Sequence, residues 1–395
     1  MYRLYLYKFL IDFWTIVPVI VPFYKAHGMS ATRILTIQAA FSLSQLVFEI
    51  PSGYLSDVIG RRRTLILAAA FMITGIGLYT VSDGFWWFIA AETILGAAGA
   101  LRSGTDSALL YDHLKNIRDE HLYRKYEGHA EFWSRTGTAV SSITGGILGA
   151  YVTLRLPFYV NLVSAGIMLI TGISLCEPPR EQRPQGNPLR NILRTAGRSV
   201  SNPGMLSLML QMGLFFSTGV TAIWGFFILF RQFRLPLFWH GFIFAVMQLA
   251  SAFTARHAAA VESLLGRKAT GVLLIVPGAC LVLIGYSNSI GFILPLVMLH
   301  AAIWGFSTPI LLEKLQQLTT SDIRATTLSV GSMIGRILTF TIGPVFGHLI
   351  DRHSTVCAFV ILGIFFCIGF PAATLLSVAQ RRSGDTFLSL QQDST

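Results

Sequence analysis

Long apolar stretches recur along almost the whole chain, and this feature constrains the fold more than any other. A helix that crosses a bilayer needs ~20 mostly apolar residues, and stretches of that length follow one another from Tyr5 onward, separated mostly by short turns. Only 12% of the residues are charged and the mean hydropathy is +0.60, whereas soluble domains carry roughly 25% charged residues. The sequence therefore predicts an integral membrane protein.

The length of each apolar stretch distinguishes helices from barrel strands. Strands of a membrane barrel would be ~10 residues long with alternating apolar and polar faces, and these stretches are longer and continuously apolar. We predict an all-α fold with twelve membrane-spanning helices. The predicted spans are residues 5–25, 34–56, 64–82, 86–110, 128–151, 156–176, 204–229, 236–257, 270–287, 291–312, 326–349 and 355–378.

A polar segment rich in Arg and Pro, residues 177–203, separates the sixth and seventh predicted helices. It predicts a linker between two six-helix bundles, residues 1–176 and 204–378, with a tail at 379–395. Two short matches at nearly the same offset support a pseudo-symmetric repeat: the glycines of 145–149 match those of 343–347, and Gly60-Arg61-Arg62 matches Gly266-Arg267-Lys268. Parallel repeats of this kind place the substrate path between the halves, near the midplane of the membrane.

The net charge of +11 follows the topology of the chain. With a cytoplasmic N-terminus, most of the 30 Lys and Arg residues fall on the inner side, as the positive-inside rule requires. We therefore expect both termini in the cytoplasm and no nucleic-acid partner. The first apolar stretch lacks a signal-peptide cleavage site and stays as helix 1. Short loops without an Asn-x-Ser/Thr sequon are compatible with a bacterial inner membrane.

The segment after helix 2 is the most specific motif: Gly53-Tyr54-Leu55-Ser56-Asp57-Val58-Ile59-Gly60-Arg61-Arg62-Arg63. It resembles the loop 2–3 motif of the major facilitator superfamily, although Val58 stands where the family often has Arg. The resemblance implies a secondary transporter fold and a conformational latch, in which Arg61 meets an acid at the end of helix 4. Our candidate for that acid is Asp112. The latch then comprises Gly53 for close helix packing, Asp57, Gly60, Arg61, Arg62 and Asp112; the alternative is a plain basic turn.

Two further segments, 49–53 and 104–112, resemble a poorly characterised bacterial branch of the same superfamily. The branch does not define a substrate. The drug-antiporter signature of helix 5 would place a proline before the glycine pair, and residues 142–146 contain none. This departure weakens an assignment to export.

Ionisable residues inside spans are functional candidates, because each costs ~2.5–3.5 kcal/mol at the centre of a membrane helix. Arg102 with Asp106, and Glu131 with Arg135, are i,i+4 pairs that would neutralise each other on one helix face. Asp12 and Glu49 would then have no basic partner inside the spans, and an unpaired carboxylate in a low dielectric favours its protonated form. The candidates for proton coupling are Asp12, Glu49, Asp106 and Glu131, with Arg102, Arg135, Arg336 and His300 as intramembrane partners.

Inside its predicted spans, the second half has few ionisable groups beyond Arg336 and His300. Arg336 would bind an anionic substrate group, or it would pair with a carboxylate of the first half when the cleft closes. We favour the pairing, because one basic residue makes a weak anion site. His300 is a hydrogen-bonded core residue or a proton relay. The aromatic residues Trp14, Trp224, Phe227 and Trp304 are candidates for an apolar cavity wall.

These features predict a secondary active transporter that couples a small organic solute to protons and works as a monomer in the bilayer. We favour efflux of an amphipathic compound over uptake of a nutrient or metal chelate, since the second half is aromatic and poor in charge. We expect residues 1–176 to carry the latch and the proton chemistry, and 204–378 to supply more of the substrate surface. A membrane enzyme or receptor is the other class considered; motifs such as His-Glu-x-x-His and Gly-x-Ser-x-Gly are missing from the sequence. No cofactor or metal is expected.

Overall fold

The structure of the protein is a computed structural model that describes residues 1–177, 196–197, 199–266, 268–319 and 324–392. Three parts of the sequence predictions lie outside these ranges: most of the predicted linker, Arg267 of the second basic loop, and residues 393–395 of the predicted tail. Every regular element within them is helical. The helices are α1 (Tyr2–Ile11), α2 (Val17–Ala26), α3 (Ala31–Ile59), α4 (Arg61–Val81), α5 (Phe85–Arg102), α6 (Thr105–Asn116), α7 (Tyr123–Tyr151), α8 (Leu156–Ile173), α9 (Pro203–Gln232), α10 (Leu237–Arg256), α11 (Ala258–Leu265), α12 (Lys268–Tyr286), α13 (Ile290–Gln317), α14 (Arg324–Arg352) and α15 (Thr355–Gln392), with a short 3₁₀ turn at Glu120–Leu122.

The fold is an all-α integral membrane fold, as predicted. Within the described ranges, eight helices are long and apolar enough to cross a membrane alone: α3, α4, α8, α9, α10, α13, α14 and α15. Four more crossings lie at the predicted places among the described residues. Two are pairs of shorter helices, α1 with α2 and α5 with α6, and two are the single helices α7 and α12. The last helix continues past the predicted end of its span, so the described part of the predicted tail is helical.

The first predicted span, 5–25, is wrong as a single helix. It is broken between Ile11 and Val17, with Asp12 at the end of α1. Pro18 explains the break, because its ring collides with the carbonyl four residues earlier, that of Trp14, and it has no N–H to donate. The Trp14 indole Nε1 donates to the Ile11 carbonyl at 2.9 Å and so satisfies one acceptor that the broken helix leaves open.

The fourth predicted span, 86–110, is also two helices. Gly104 separates α5 from α6 with φ of 72°, in the left-handed region. Glycine adopts this conformation without the steric cost that a Cβ would bring. Residues on either side of Gly104 therefore belong to different helices, and an i,i+4 relation between them no longer holds.

The two halves of the chain meet along two pairs of long helices. Helices α1–α8 pack on one another in the first half, and α9–α15 do so in the second half. Between the halves, α3 contacts α14 and α7 contacts α10. The shorter helix α2 also contacts α9 and α10. We call the end that holds Met1, Arg61 and Glu177 the terminal face. The end that holds His27, Asp83 and Thr153 is the opposite face.

Candidate functional site

A cavity of about 360 Å³ lies between the halves, beside the break between α1 and α2. On the side of the opposite face α7 and α10 close it, because a Cβ on Gly241 would lie 2.1 Å from the Ser142 carbonyl oxygen. On the side of the terminal face the Glu131 and Arg135 side chains are each 51% exposed. The cavity therefore opens toward the terminal face. Its lining residues are Asp12, Trp14, Val17, Glu131, Ser134, Arg135, Thr138, Ser142, Phe244 and Gln248.

Most of this lining comes from the first half. Only Phe244 and Gln248, both on α10, belong to the second half. The expectation that residues 204–378 supply more of the surface is therefore wrong for this cavity. The reason is the break between α1 and α2, because its residues Asp12 and Trp14 line the space between the halves.

Asp12 is paired, contrary to the sequence expectation. Arg102 Nη1 lies 2.8 Å from Asp12 Oδ1 and also donates to the Ile11 carbonyl at 3.1 Å. The Ser134 hydroxyl donates to the other carboxylate oxygen of Asp12. Arg102 is available to Asp12 because Gly104 separates it from Asp106.

Asp106 has a different partner, which sequence reasoning missed. Lys8 Nζ lies 2.7 Å from Asp106 Oδ2 and 3.6 Å from Glu127 Oε1, and the Lys8 side chain is only 7% exposed. The Ser107 hydroxyl donates to Glu127 at 2.6 Å. The predicted Arg102–Asp106 pair is thus wrong. The signal for Lys8 was its place inside the span 5–25, where a buried lysine requires an acid.

The predicted pair of Glu131 and Arg135 is present. Arg135 Nε lies 2.8 Å from Glu131 Oε1, one helical turn away on α7. Both side chains are about half exposed, so water screens the pair and it contributes little to stability. Because the pair borders the open cavity, either member is accessible to a solute.

Arg336 joins the halves. Its Nη2 lies 3.4 Å from Glu49 Oε2, and its Nη1 donates to the Gln45 side-chain oxygen. The side chains of Glu49 and Arg336 are each 11% exposed. The expectation that Glu49 lacks a basic partner is wrong, whereas the favoured alternative for Arg336, a carboxylate of the first half, is the contact in the structure.

The loop between α3 and α4 brings Arg61 and Asp112 together. Arg61 Nε lies 3.2 Å from Asp112 Oδ2, and Arg61 Nη1 lies 3.0 Å from Asp57 Oδ1. The backbone N–H groups of Arg61 and Arg62 donate to Glu177 at 2.9 and 2.8 Å, so that Glu177 caps the start of α4. The ion pairs of Arg61 lie within the first half, and Glu177 is the first residue of the predicted linker.

Two glycines of this motif differ in their roles. Gly60 has φ of 107°, which suits the turn from α3 into α4. A Cβ on Gly53 would meet nothing within 4 Å. The expected close packing at Gly53 is therefore wrong in this conformation, because Gly53 lies on the exposed side of α3.

The other aromatic candidates and His300 lie in the packing of the second half. Phe227 is buried and stacks on His240 at 5.9 Å, and His300 is buried edge-on to Phe226 at 5.8 Å. Trp304 covers Gly219. Trp14 is the one predicted aromatic residue that lines the cavity described above, and Trp224 is half-buried beside Phe227.

Sequence reasoning also missed Glu92, a buried carboxylate on α5. It accepts hydrogen bonds at Oε1 from the Tyr79 hydroxyl at 2.8 Å, the Tyr24 hydroxyl at 3.3 Å and the Gln38 amide at 3.4 Å. Glu92 lies inside the predicted span 86–110. The rule applied to the other intramembrane acids would have found it.

The opposite face is sealed between α3 and α14. Asp351 accepts hydrogen bonds from the backbone N–H groups of Ala31 and Thr32, at 2.9 and 2.7 Å, and from the Thr32 hydroxyl at 2.7 Å. A Cβ on Gly347 would lie 2.7 Å from the Ala31 carbonyl oxygen. A carboxylate of the second half therefore caps a helix of the first half where their backbones touch.

Several known proteins are similar in sequence to part of this chain. The efflux pump dotC of Dothistroma septosporum is 30% identical over 153 residues, which cover 39% of this chain and 26% of that protein. The inner membrane transport protein YajR of Escherichia coli is 25% identical over 167 residues, 42% of this chain and 35% of YajR. The quinolone resistance protein NorA of Staphylococcus aureus is 25% identical over 203 residues, 50% of this chain and 51% of NorA. The match thus spans at most about half of these relatives.

Solved structures share the fold over nearly the whole chain. The nucleoside transporter NupG matches with a TM-score of 0.69 at 12% identity, covering 95% of this chain and 96% of that one. A D-xylose-proton symporter matches with a TM-score of 0.68 at 15% identity, covering 92% and 95%. The sequence model of the Major Facilitator Superfamily matches residues 9–344. The chain therefore belongs to the major facilitator superfamily.

Proposed function

We propose that the protein is a proton-coupled secondary transporter that exports a small amphipathic organic compound by alternating access. One observation carries the proposal: a cavity between the halves opens toward the terminal face while the halves touch at the opposite face. Rocking of the halves about this contact would expose the same cavity to the other side.

The distribution of basic residues supports a cytoplasmic terminal face in a bacterial inner membrane. Arg61, Arg62, Lys115, Arg124 and Lys125 all lie on loops or helix ends at this face. In this orientation the cavity receives solutes from the cytoplasm. Export also agrees with the names of relatives that share a segment with this chain, an efflux pump and a quinolone resistance protein.

The walls of the cavity suit an amphipathic solute. Its volume of about 360 Å³ lies at the lower end of ligand pockets, roughly 300–1,000 Å³. Trp14 and Phe244 offer apolar surface, and Glu131, Arg135 and Gln248 offer polar groups. A compound with an aromatic body and a hydrogen-bonding or cationic group would satisfy both kinds of wall.

We assign the coupling proton to the carboxylates of the cavity, Asp12 first and Glu131 second. Asp12 borders the cavity and is held by Arg102 and Ser134. A proton on Asp12 would release Arg102, and a cationic group of the solute would compete with that proton for the same oxygens. Exchange of solute for proton follows from this competition.

The loop after α3 serves in this proposal as a latch. Arg61 holds Asp57 and Asp112 while the terminal face is open. Closing that face would bring the end of α3 toward the second half and free Asp57 from Arg61. The latch would then favour one conformation over the other by the difference between these contacts.

Proteoliposomes with an imposed pH gradient test the function. With ethidium as the amphipathic probe, we expect accumulation in vesicles with an acidic lumen, and loss of this accumulation in Asp12→Asn. The matched control is Glu120→Gln, at an exposed acid of the same half. Accumulation that follows the proton inward would indicate uptake. Unchanged coupling in both Asp12→Asn and Glu131→Gln would exclude the proton assignment.

A further inference from the structure

Glu92 is buried among neutral hydrogen-bond donors. Its residue exposure is 5%, and no ion pair within the described ranges involves it. The groups that face it are Tyr24 from α2, Gln38 from α3 and Tyr79 from α4. The two tyrosine hydroxyls also share a hydrogen bond with each other. This site differs from the cavity carboxylates, each of which lies beside an arginine.

A buried carboxylate without a cation is costly when it is charged. In its protonated form the group becomes both a donor and an acceptor, which fits a ring of two hydroxyls and an amide. The chemistry of the site therefore favours a bound proton in the conformation seen here. Full solvation would remove this preference and allow Glu92 to ionise.

The partners of Glu92 lie directly behind the sealed opposite face. Tyr24 follows Pro22, whose carbonyl accepts from Arg231 of the second half at 3.5 Å. Gln38 lies on α3, the helix that Asp351 caps at Ala31. Opening this face would pull α2 and α3 away from the second half. Because α2 and α3 contact the second half whereas α4 and α5 pack against helices of the first half, this movement would shift Tyr24 and Gln38 relative to Glu92.

Charged groups at the ends of these helices have other partners. Asp83 contacts His27 at 2.8 Å and also contacts Arg155. The Arg33 guanidinium lies over the Phe85 ring at 5.7 Å. Lys25, at the end of α2, is the remaining cation on these helix ends among the described residues. The groups that donate to Glu92 are instead the neutral side chains of Tyr24, Gln38 and Tyr79.

We propose that Glu92 is a second proton-binding site, separate from the cavity, and that its proton stabilises closure of the opposite face. This inference rests on the proposed alternating access. A proton taken up from the opposite side would favour the conformation in which the cavity opens to the terminal face. Acid would therefore shift the molecule toward closure at the opposite face, and alkali toward opening.

Spin-label distances across the opposite face test this proposal. The four cysteines, Cys176, Cys280, Cys357 and Cys367, are first replaced by Ser. Labels are then placed at Thr153→Cys and His353→Cys, in exposed loops of the first and second half. In nanodiscs we expect the short distance to dominate at about pH 5 and a longer one to grow toward about pH 8, a range in which a perturbed carboxyl titrates.

Three variants identify the group that responds. Glu92→Gln is uncharged at every pH and should keep the short distance throughout. Glu120→Gln, the exposed control, should respond as the parent does. Tyr79→Phe is the second variant in case Glu92→Gln does not fold: it removes a hydrogen bond that Glu92 accepts while the face is closed, so the closed face loses stability and the pH at which the two distances are equally populated should fall.

The outcomes separate this inference from the proposed function. A single distance at every pH would overturn alternating access and this inference with it. Two distances whose ratio ignores pH, or a Glu92→Gln protein with the full pH response of the parent, would overturn this inference alone and leave transport untouched. A Tyr79→Phe protein with an unchanged response would also count against it.

Discussion

The two halves of the molecule approach each other differently at its two ends. At the opposite face, α7 meets α10 at Gly241 and α3 meets α14 at Gly347, so closely that a Cβ at either glycine would collide with backbone. At the terminal face, α7 presents the half-exposed side chains of Glu131 and Arg135 to an open cavity. The seal depends on glycine contacts and helix capping, which can separate and form again without exposing a charged core.

Between these two ends, the halves are joined by a buried ion pair. Arg336 and Glu49 join α14 to α3 at a level where both side chains are 11% exposed. This pair lies between the sealed end and the open end of the contact between the halves. We therefore expect substitutions at this pair to have the largest effect on the protein and substitutions at the opposite face to have a smaller one.

Removal of Arg336 should have the largest effect. Arg336→Met leaves Glu49 buried and unpaired, and loss of one partner from a buried pair costs about 3–5 kcal/mol. We expect a clear fall in the thermal unfolding temperature of the purified protein. The double variant Arg336→Met with Glu49→Gln leaves no unpaired charge and should recover much of that loss. Equal unfolding temperatures for the parent and Arg336→Met would show that the pair carries no stability.

A larger residue at a glycine of the sealed end should have a smaller effect. It should change the populations of the two conformations. In Gly241→Ala the new Cβ would lie 2.1 Å from the Ser142 carbonyl oxygen, and relief of such overpacking costs about 1–3 kcal/mol. Only the closed opposite face suffers, so its population should fall roughly 5- to 150-fold relative to the open form. The Thr153 and His353 spin labels measure this ratio.

The matched control is Gly343→Ala in the other interhalf contact. Its Cβ would lie 3.6 Å from the Leu35 carbonyl oxygen, an ordinary contact distance. We expect the parent distribution of distances for this variant. If both alanine variants shift the distances equally, the seal does not depend on the close approach at Gly241.

The sequence predicted the helices because their apolar runs are long, and local signals for the breaks were also present. Pro18 marks the break after α1, and Gly104 marks the one after α5. Neither residue proves a break by itself, because proline and glycine are also common in continuous membrane helices. The wrong prediction of continuous spans then affected the charges, because the i,i+4 pair of Arg102 and Asp106 exists only on an unbroken helix.

The sequence alone did not indicate which buried charged residues pair with each other. Asp12 and Arg102 are separated by 90 positions, and Lys8 and Asp106 belong to helices that only tertiary packing brings together. Glu92 differs, because its position inside a span was visible and only its neutral surroundings required the structure. The sequence predicts the pairing of Arg336 with the first half, because one basic residue makes a weak anion site.

The mildest change acts on charge at the sealed end. Asp351→Asn keeps an acceptor for the start of α3 but removes the negative charge, which is worth about 0.3–1 kcal/mol at a helix N-terminus. The closed opposite face should lose population roughly two- to fivefold by the same spin-label ratio, and added salt should reduce the difference because it screens the charge. Asp83→Asn is the control, since Asp83 lies at the same face but pairs with His27 and Arg155 of its own half. An equal shift in both variants would mean that the net charge of this face, rather than the cap between the halves, sets the balance between the two ends.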